Sequence, residues 1–148
     1  MATIVLVAHA PLATALKSLA VHTYAECGGN VAAVDVPASA TLEQATALVR
    51  QALGAGEEGE TLLLADVFGA TPCNAALAAA DGRRVRVVAG VNVPMLWRTL
   101  CYGHLPLSDL VARAADGGRQ GVMQVAAPRR QNQALRPAVD DSDPNQDQ

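Results

Sequence analysis

Two residues capable of acid–base chemistry stand where apolar stretches of the sequence end. His9 follows the run IVLVA, and Asp66 follows the run TLLLA. If the two runs are neighbouring strands, the carboxylate can accept a hydrogen bond from Nδ1–H of the imidazole, which fixes the tautomer and leaves a lone pair on Nε2. The carboxylate also stabilises positive charge that develops on the ring during attack. The pair therefore predicts a histidine nucleophile.

Each of these residues also has an ordinary structural interpretation. Alone, His9 could be a loop histidine that is hydrogen-bonded to the backbone, and Asp66 could cap a helix or a turn. His22 lies within a predicted helix and His104 in a predicted loop, and neither has an obvious partner. The predicted proximity of His9 to Asp66 shifts the balance toward chemistry.

Phosphoryl transfer fits this nucleophile best. The sequence has no G-x-S-x-G motif to support acyl transfer through a serine, and His9, Asp66 and Cys73 lack a recognised zinc spacing. Helices that follow the two strands would direct N–H groups and the positive ends of their dipoles at the site. Thr71 adds a hydroxyl, and Gly69-Ala70 permit close approach of the backbone. Because phosphoryl transfer depends mainly on positioning and electrostatics, we expect a neutral histidine in a pocket suited to anions.

Apolar runs that alternate with helical patterns predict the elements that hold this pair. The predicted strands are Ile4–Ala8, Val31–Val36, Thr61–Ala65, Val85–Ala89 and Val122–Ala126. The alternation predicts an open, doubly wound α/β fold whose five-stranded, mostly parallel sheet has helices on both faces. We expect the strand order 2-1-3-4-5, with the last strand either parallel or antiparallel. Ligands of such sheets bind where the order reverses, here between strands 1 and 3, just beyond which His9 and Asp66 lie.

Caps, prolines and glycines predict where the helices begin and end. Prolines begin three of them: Pro11 a helix to about Cys27, Pro72 a helix through Ala80, and Pro94 a helix to about Tyr102. Thr41 and Gln44 form a capping box that begins the second helix. Ser108 caps a last helix, which ends at Asp116-Gly117-Gly118.

Composition limits the classes of protein to which the chain can belong. Its 148 residues suit one domain with a core of Ala, Val and Leu, since 51% of them are hydrophobic and only 3% aromatic. So few aromatics argue against a stacking groove for nucleic acid. The net charge of −3 gives no electrostatic case for nucleic acid or an anionic membrane, so any membrane association is peripheral at most.

Cysteine usage and the chain termini indicate a cytoplasmic protein. Cys27, Cys73 and Cys101 are irregularly spaced, which favours free thiols in a reducing compartment. The first residues have no basic segment typical of a secretory signal, and no apolar run approaches the roughly 20 residues of a spanning helix. We expect one domain over residues 1–127 and a polar, disordered tail over residues 128–148, which is rich in Gln, Asp and Pro.

Three segments, in this order, carry a resemblance to a known family. They are IVLVAHAPLA; LLLADVFGATPCNAA, which is similar to the pattern Asp-x-x-Gly-Gly-Ser/Thr-Pro-x-Asn; and VVAGVNVPML, which is close to a Gly-Val-Asn-x-Pro-Met-Leu run. Together they resemble the IIA domains of the mannose-type sugar phosphotransferase system (PTS) over roughly residues 3–126. The resemblance implies a phosphotransferase component without metal or cofactor.

The resemblance also implies roles for individual residues. His9 takes a phosphoryl group on Nε2 from the phosphohistidine carrier HPr, Asp66 orients the ring, and Thr71 binds phosphoryl oxygens. Ala10, Gly69 and Ala70 complete the phosphate site, while Gly69, Pro72 and Asn74 shape the loop. Asn92, Pro94 and Met95 form a neighbouring wall and part of the docking face, or else a capped helix start with core packing.

Two positions depart from the family pattern. Many members have Gly directly after the histidine, whereas this chain has Ala10-Pro11, and Pro11 has no N–H for a phosphate. Ala70 stands where a second Gly is common. Neither change removes the proposed chemistry, but transfer would then rely more on Thr71 and neighbouring amides.

Several functions share this site. The main expectation is a phosphoryl carrier that passes the group to a IIB-type partner on a separate chain. The resemblance also implies a homodimer with the last strand near the interface. The alternatives are a regulatory phosphoprotein read by binding partners and a phosphotransfer subunit of a dihydroxyacetone kinase. A flavodoxin-like FMN binder lacks support, because AHAPLA is not a Ser/Thr/Gly-rich phosphate loop and few aromatics are available. A metal hydrolase is the weakest alternative.

Overall fold

Four parallel strands form the central sheet. The computed structural model describes residues 1–28, 30–54 and 59–128. Its strands are β1 (Thr3–His9), β2 (Val31–Val36), β3 (Thr61–Ala65) and β4 (Val85–Ala89), in the order β2-β1-β3-β4. All three pairings are parallel. The α/β prediction, the positions of these four strands and their order are confirmed.

Six helices occupy the described ranges. They are α1 (Leu12–Thr23), α2 (Ala25–Gly28), α3 (Leu42–Leu53), α4 (Thr71–Ala79), α5 (Val93–Cys101) and α6 (Leu107–Gln120). The capping box predicted at the start of α3 is present, because Thr41 and Gln44 exchange side-chain-to-backbone hydrogen bonds of 3.0 and 3.1 Å. The first predicted helix is interrupted at Tyr24, which separates α1 from α2.

Successive residues of β1 face two different helix layers. Leu6 and Ala8 belong to a core cluster formed with α1, α5 and α6, whereas Val5 and Val7 belong to a cluster formed with α3 and α4. This alternation is the ordinary period of a strand. It places His9, at the end of β1, on the same side as Val7, which is the side of α3 and α4.

The predicted fifth strand, Val122–Ala126, is absent from the described part of the sheet. Residues 122–128 have no regular structure, and Val122, Met123 and Val125 are 76%, 69% and 80% exposed. Their apolar character predicts a strand, but a strand forms only where its backbone finds a hydrogen-bonding neighbour. The prediction of five strands is therefore wrong for the structure described, whose sheet has four.

The glycines predicted to end the last helix lie inside α6. A Cβ atom on Gly118 would stand 2.7 Å from Cε of Met95, and one on Gly117 would stand 2.7 Å from Cβ of Arg98. Glycine is thus required at Gly117 so that α5 can approach α6 closely, whereas at Gly118 the flexible end of Met95 would have to move. Ser108 is not a cap either, because the residue at the N-cap position is Pro106 and no side chain caps the helix.

Two further expectations concern the limits of the domain. In the described ranges, no helix has the length and apolar character needed to cross a bilayer. The disorder predicted for the tail concerns residues that, apart from Pro128, lie outside the described residues.

Candidate functional site

His9 and Asp66 are joined by two hydrogen bonds at the carboxyl ends of β1 and β3. Nδ1 of His9 lies 2.6 Å from Oδ2 of Asp66, and the backbone N–H of His9 donates to the same oxygen over 2.9 Å. The other carboxylate oxygen, Oδ1, accepts the N–H of Val67 over 2.8 Å. When Nδ1–H donates to an ionised carboxylate, the lone pair of the neutral ring is on Nε2. The pairing predicted from strand order is therefore present in the geometry.

Sheet register explains why the two side chains meet. Val7 of β1 lies opposite Ala65 of β3, and the N–H of Asp66 donates to the carbonyl of Val7 over 3.3 Å. Asp66 therefore leaves β3 at the height at which β1 ends. Two apolar runs of suitable length, paired in parallel, are enough to place the imidazole beside the carboxylate.

The environment of the pair keeps the carboxylate charged and the ring accessible. The side chain of Asp66 is 10% exposed and that of His9 is 50% exposed. Burial disfavours the ionised form of Asp66, but hydrogen bonds from the His9 N–H, the His9 ring and the Val67 N–H outweigh it, so the pKa of Asp66 lies below its ordinary value. Asp66 is therefore an anion at neutral pH, and half of the imidazole faces solvent.

The loop from β3 to α4 provides an open helix N-terminus next to this pair. Gly69 has a φ of +88°, a left-handed conformation that favours glycine, and α4 begins two residues later at Thr71. Ala70 occupies the N-cap position without a side-chain cap. Among the described residues, no protein acceptor takes the N–H of Ala70 or of Thr71. These N–H groups and the positive end of α4 suit an anion.

Comparison with known proteins identifies the family to which this geometry belongs. The family model described as "PTS system fructose IIA component" matches residues 3–114. The chain belongs to this mannose-type PTS IIA family. The resemblance found in the sequence is therefore confirmed.

Two curated relatives of this IIA chain match over shorter stretches. The fructose-specific EIIA component of Bacillus subtilis is 47% identical over 57 residues, which are 37% of this chain and 39% of that protein. The mannose-specific EIIAB component of Escherichia coli K12 is 39% identical over 81 residues, which are 53% of this chain and 25% of that protein. The chain spans well under half of the length of either relative.

Solved structures share the fold over most of the IIA chain. A mannose/sorbose-specific IIA subunit from Enterococcus faecalis superposes with a TM-score of 0.76 at 26% identity, covering 87% of this chain and 98% of that one. An EIIA component from Streptococcus agalactiae superposes with a TM-score of 0.74 at 20% identity, covering 84% of this chain and 97% of that one. The second likeness concerns the fold alone.

Two other residues of the IIA motif support the loop from β3 to α4. Pro72 is buried in the first turn of α4, where its missing N–H costs nothing. Asn74 is exposed on α4, and its backbone N–H closes the first helical bond, to the carbonyl of Ala70 over 3.0 Å. Cys73 is buried, and this burial raises the pKa of its thiol. None of the three has a polar side-chain contact with the His9 ring among the described bonds.

Ala10 does not offer a free amide. Its N–H donates to the carbonyl of Val36 over 3.0 Å, which continues the ladder between β1 and β2. Pro11, the next residue, has no N–H. The backbone directly after His9 therefore contributes little to an anion site, in contrast to the prediction for Ala10.

A carboxylate that the sequence analysis did not single out lies at the N-terminus of α1. Asp35 accepts the backbone N–H of Thr14 over 3.1 Å and also a hydrogen bond from the Thr14 hydroxyl. The expectation that α1 presents free N–H groups to the site is thus only partly met. The sequence feature that could have identified Asp35 is its position, because it lies near the carboxyl end of β2 just as Asp66 lies directly after β3.

The three residues predicted as a neighbouring wall form a capped helix start. Asn92 accepts the N–H of Met95 over 2.9 Å and donates to the carbonyl of Gly118 over 3.1 Å. Met95 is 3% exposed in the core, so the geometry favours core packing over docking for this residue. Pro94 is half-buried in the first turn of α5 and is followed by Trp97, which is 39% exposed.

The described residues offer no evident ligand set for a metal ion. Over residues 1–28, 30–54 and 59–128, no three His, Cys, Asp or Glu side chains are grouped so that they could hold a metal ion.

Proposed function

We propose that this protein is a phosphohistidine carrier of a sugar PTS, which takes a phosphoryl group from phospho-HPr onto Nε2 of His9 and passes it to a IIB-type partner on a separate chain. The observation that carries the proposal is the 2.6 Å contact between Nδ1 of His9 and Oδ2 of Asp66, beside the open N-terminus of α4. Family membership supports a phosphotransfer role.

The transfer step requires only a nucleophile and a place for charge. The lone pair of Nε2 forms the new P–N bond while the P–N bond of the donor phosphohistidine breaks, and the donor nitrogen leaves with the electron pair. Positive charge grows on the His9 ring, whose Nδ1 keeps its proton, and the Asp66 carboxylate stabilises that charge. Delivery to the acceptor is the same step with the roles reversed.

The phosphoryl oxygens are held by the start of α4 in this proposal. The N–H groups of Ala70 and Thr71 and the Thr71 hydroxyl are the donors, with Gly69 allowing close approach. Thr71→Val is expected to slow phosphoryl uptake about tenfold. This is less than the 10²- to 10³-fold or so that a buried oxyanion donor contributes, because Thr71 is only half-buried.

Single-turnover transfer from phospho-HPr measures the Thr71 effect. Thr71→Ser is the matched control, since it keeps the hydroxyl and should retain most of the rate. If the valine and serine variants transfer equally fast, the hydroxyl has no part in binding the phosphoryl group.

An exposed apolar surface next to the pair supports a protein as the donor and the acceptor. Val67 and Phe68, one and two residues after Asp66, are 48% and 77% exposed. Aromatic side chains such as that of Phe68 are enriched in protein interfaces relative to the rest of the surface. Pro94 and the Asn92 cap remain part of the proposed docking face, at the neighbouring strand end.

The deciding experiment is phosphorylation in vitro with purified components. Phosphoenolpyruvate, enzyme I and HPr are mixed with this protein, and the label is tested for the acid lability and base stability of a phosphohistidine. We expect a stoichiometry of one phosphoryl group per chain, and delivery of the group when a IIB protein is added. Absence of label with fully active HPr would refute the function.

A homodimer is the assembly that the exposed segment supports. Val122, Met123 and Val125 would be shielded if they packed on the β4 edge of a second copy. β4 has no described neighbour on that edge, and Nε of Arg86 on this strand is buried without a hydrogen-bond partner among the described residues. A second chain would supply both the apolar contact and an acceptor.

Val125→Asp is expected to convert the dimer to a monomer in sedimentation velocity runs. A charge at the interface costs far more than the same charge in solvent, where Val125 is already exposed within one chain. Leu77→Asp is the matched control, because Leu77 is 49% exposed on α4 and should leave the dimer intact. A monomeric parent protein, or a dimeric Val125→Asp variant, would contradict this interface.

A further inference from the structure

We infer that the negative charge of Asp35 raises the free energy of the phosphoryl group on His9 and so keeps that group transferable. The inference rests on the proposed function. In the register of β1 and β2, Asp35 lies opposite Ala8, the residue before His9. Asp35 is therefore one strand away from the nucleophile at the carboxyl edge of the sheet, and its bonds to Thr14 place its carboxylate at the start of α1, the helix that follows His9.

Asp35 acts as the cap that α1 lacks in its own sequence. The N-cap residue of α1 is Pro11, which makes no side-chain hydrogen bond to the helix. Asp35 instead accepts the N–H and the hydroxyl of Thr14, the third residue of α1. A helix N-terminus carries roughly half a positive charge, so a full carboxylate there more than cancels it.

The two helix ends at the site therefore differ in charge. The N-terminus of α4 has no side-chain cap, whereas that of α1 is closed by an anion. The ion pairs among the described residues are His9–Asp66 and Arg119–Asp116, so no described cation lies within ion-pair distance of Asp35. An anion bound to His9 is attracted by α4 and repelled by Asp35. A carrier that must release its phosphoryl group benefits from this balance, because tight binding of the group would slow its release.

The charge of Asp35 can be removed without removing the cap. Asparagine is about as good a cap as aspartate; its oxygen still accepts the Thr14 N–H, and the Thr14 hydroxyl can accept from its NH₂ group. Asp35→Asn is thus a test of charge. Thr14→Val is a test of structure, because it keeps the charge of Asp35 and removes one hydrogen bond.

The experiment measures two quantities on the full-length chain. The first is the equilibrium constant for phosphoryl exchange with HPr, and the second is the rate of labelling by phosphoramidate, a small donor that needs no protein partner. For Asp35→Asn we expect both to rise about two- to fivefold, the range of a charge at a helix terminus. The effect should be present at about 0.01 M salt and fade at about 1 M, where charges act over only about 3 Å.

Two controls separate charge from structure. Thr14→Val should not shift the exchange toward the phosphorylated protein. Asp81→Asn removes a carboxylate that also accepts backbone N–H groups, but it lies just before β4 at the opposite edge of the sheet, and it should change neither quantity. Equal values for Asp35→Asn and the parent at low salt, or a shift that persists at high salt, would overturn the inference. If phosphoramidate labels the parent protein and phospho-HPr does not, the proposed function fails, and the phosphoramidate rates alone decide the role of Asp35.

Discussion

His9→Ala is expected to eliminate phosphoryl uptake from phospho-HPr. The substitution removes the imidazole whose Nδ1 lies against the Asp66 carboxylate, and with it the nucleophilic lone pair of Nε2 beside the open N-terminus of α4. The fold should survive, because the His9 side chain is half exposed and its backbone N–H still donates to Asp66. Labelling with phosphoenolpyruvate, enzyme I and HPr measures the loss, and circular dichroism verifies the fold.

His22→Ala and His104→Ala are the matched controls for this loss. His22 is exposed in the last turn of α1 and His104 is exposed after α5, and among the described residues neither forms an ion pair with a carboxylate. Both variants should take up label like the parent protein, in chains that carry no histidine tag. Label that persists in His9→Ala, or disappears in either control, would place the phosphoryl group on another histidine.

The parts of the fold that could be predicted are those that depend on local pattern. β3 is buried at every position, which is why it stands out in the sequence as a short, almost wholly apolar run. Asp66 is the first charged residue after that run, so its place at the end of the strand could be predicted. The same reasoning places His9 after β1. The capping box of Thr41 and Gln44 spans four residues and needs no knowledge of the rest of the chain.

The parts that could not be predicted depend on residues far apart in the sequence. Gly117 and Gly118 are able to end a helix or to let a neighbouring helix approach, and only the positions of Arg98 and Met95 decide between the two. The segment 122–126 has the composition of a strand, but pairing depends on an available edge.

The same distinction between local pattern and distant contacts applies to the candidate site. The proximity of His9 and Asp66 follows from strand order and run length, both of which are visible in the sequence. Asp35 caps α1 from another strand, whereas rules for helix starts examine only the residues next to Pro11. The bond between Ala10 and Val36 is likewise a property of the sheet, and no local signal distinguishes a free amide from a paired one.

Asp66→Asn is expected to slow phosphoryl uptake by up to about 10⁴-fold, the cost of the same change beside the histidine of a serine-protease triad. Both oxygens of Asp66 accept hydrogen bonds, Oδ2 from His9 and Oδ1 from Val67, whereas an amide has one acceptor oxygen. If the NH₂ group faces His9, Nδ1 must accept and Nε2 carries the proton, so the nucleophilic lone pair is lost.

Single-turnover transfer from phospho-HPr measures this rate. Asp81→Asn is the control, because its carboxylate lies at the amino end of β4, whereas His9 and Asp66 lie at the carboxyl ends of their strands. The Asp81 variant should transfer at the parent rate. An Asp66→Asn protein that is labelled with unchanged kinetics would refute the orienting role of the carboxylate.

The Asp66 substitution should also remove an acid-sensitive part of the stability. Burial opposes ionisation, but the bonds from His9 and Val67 hold the pKa of folded Asp66 below the value of about 3.9 of an unfolded chain. The resulting stabilisation is fully present above about pH 4 and is lost as the pH falls through the lower folded pKa.

At pH 7, Asp66→Asn should lower the free energy of unfolding by about 1–3 kcal/mol, because the His9 and Val67 groups that donate to Asp66 lose their charged acceptor. This difference in stability should shrink in acid. Urea unfolding of both proteins at neutral pH and well below the pKa of free aspartate measures the difference. A deficit that does not change with pH would mean that these hydrogen bonds do not favour the ionised carboxylate.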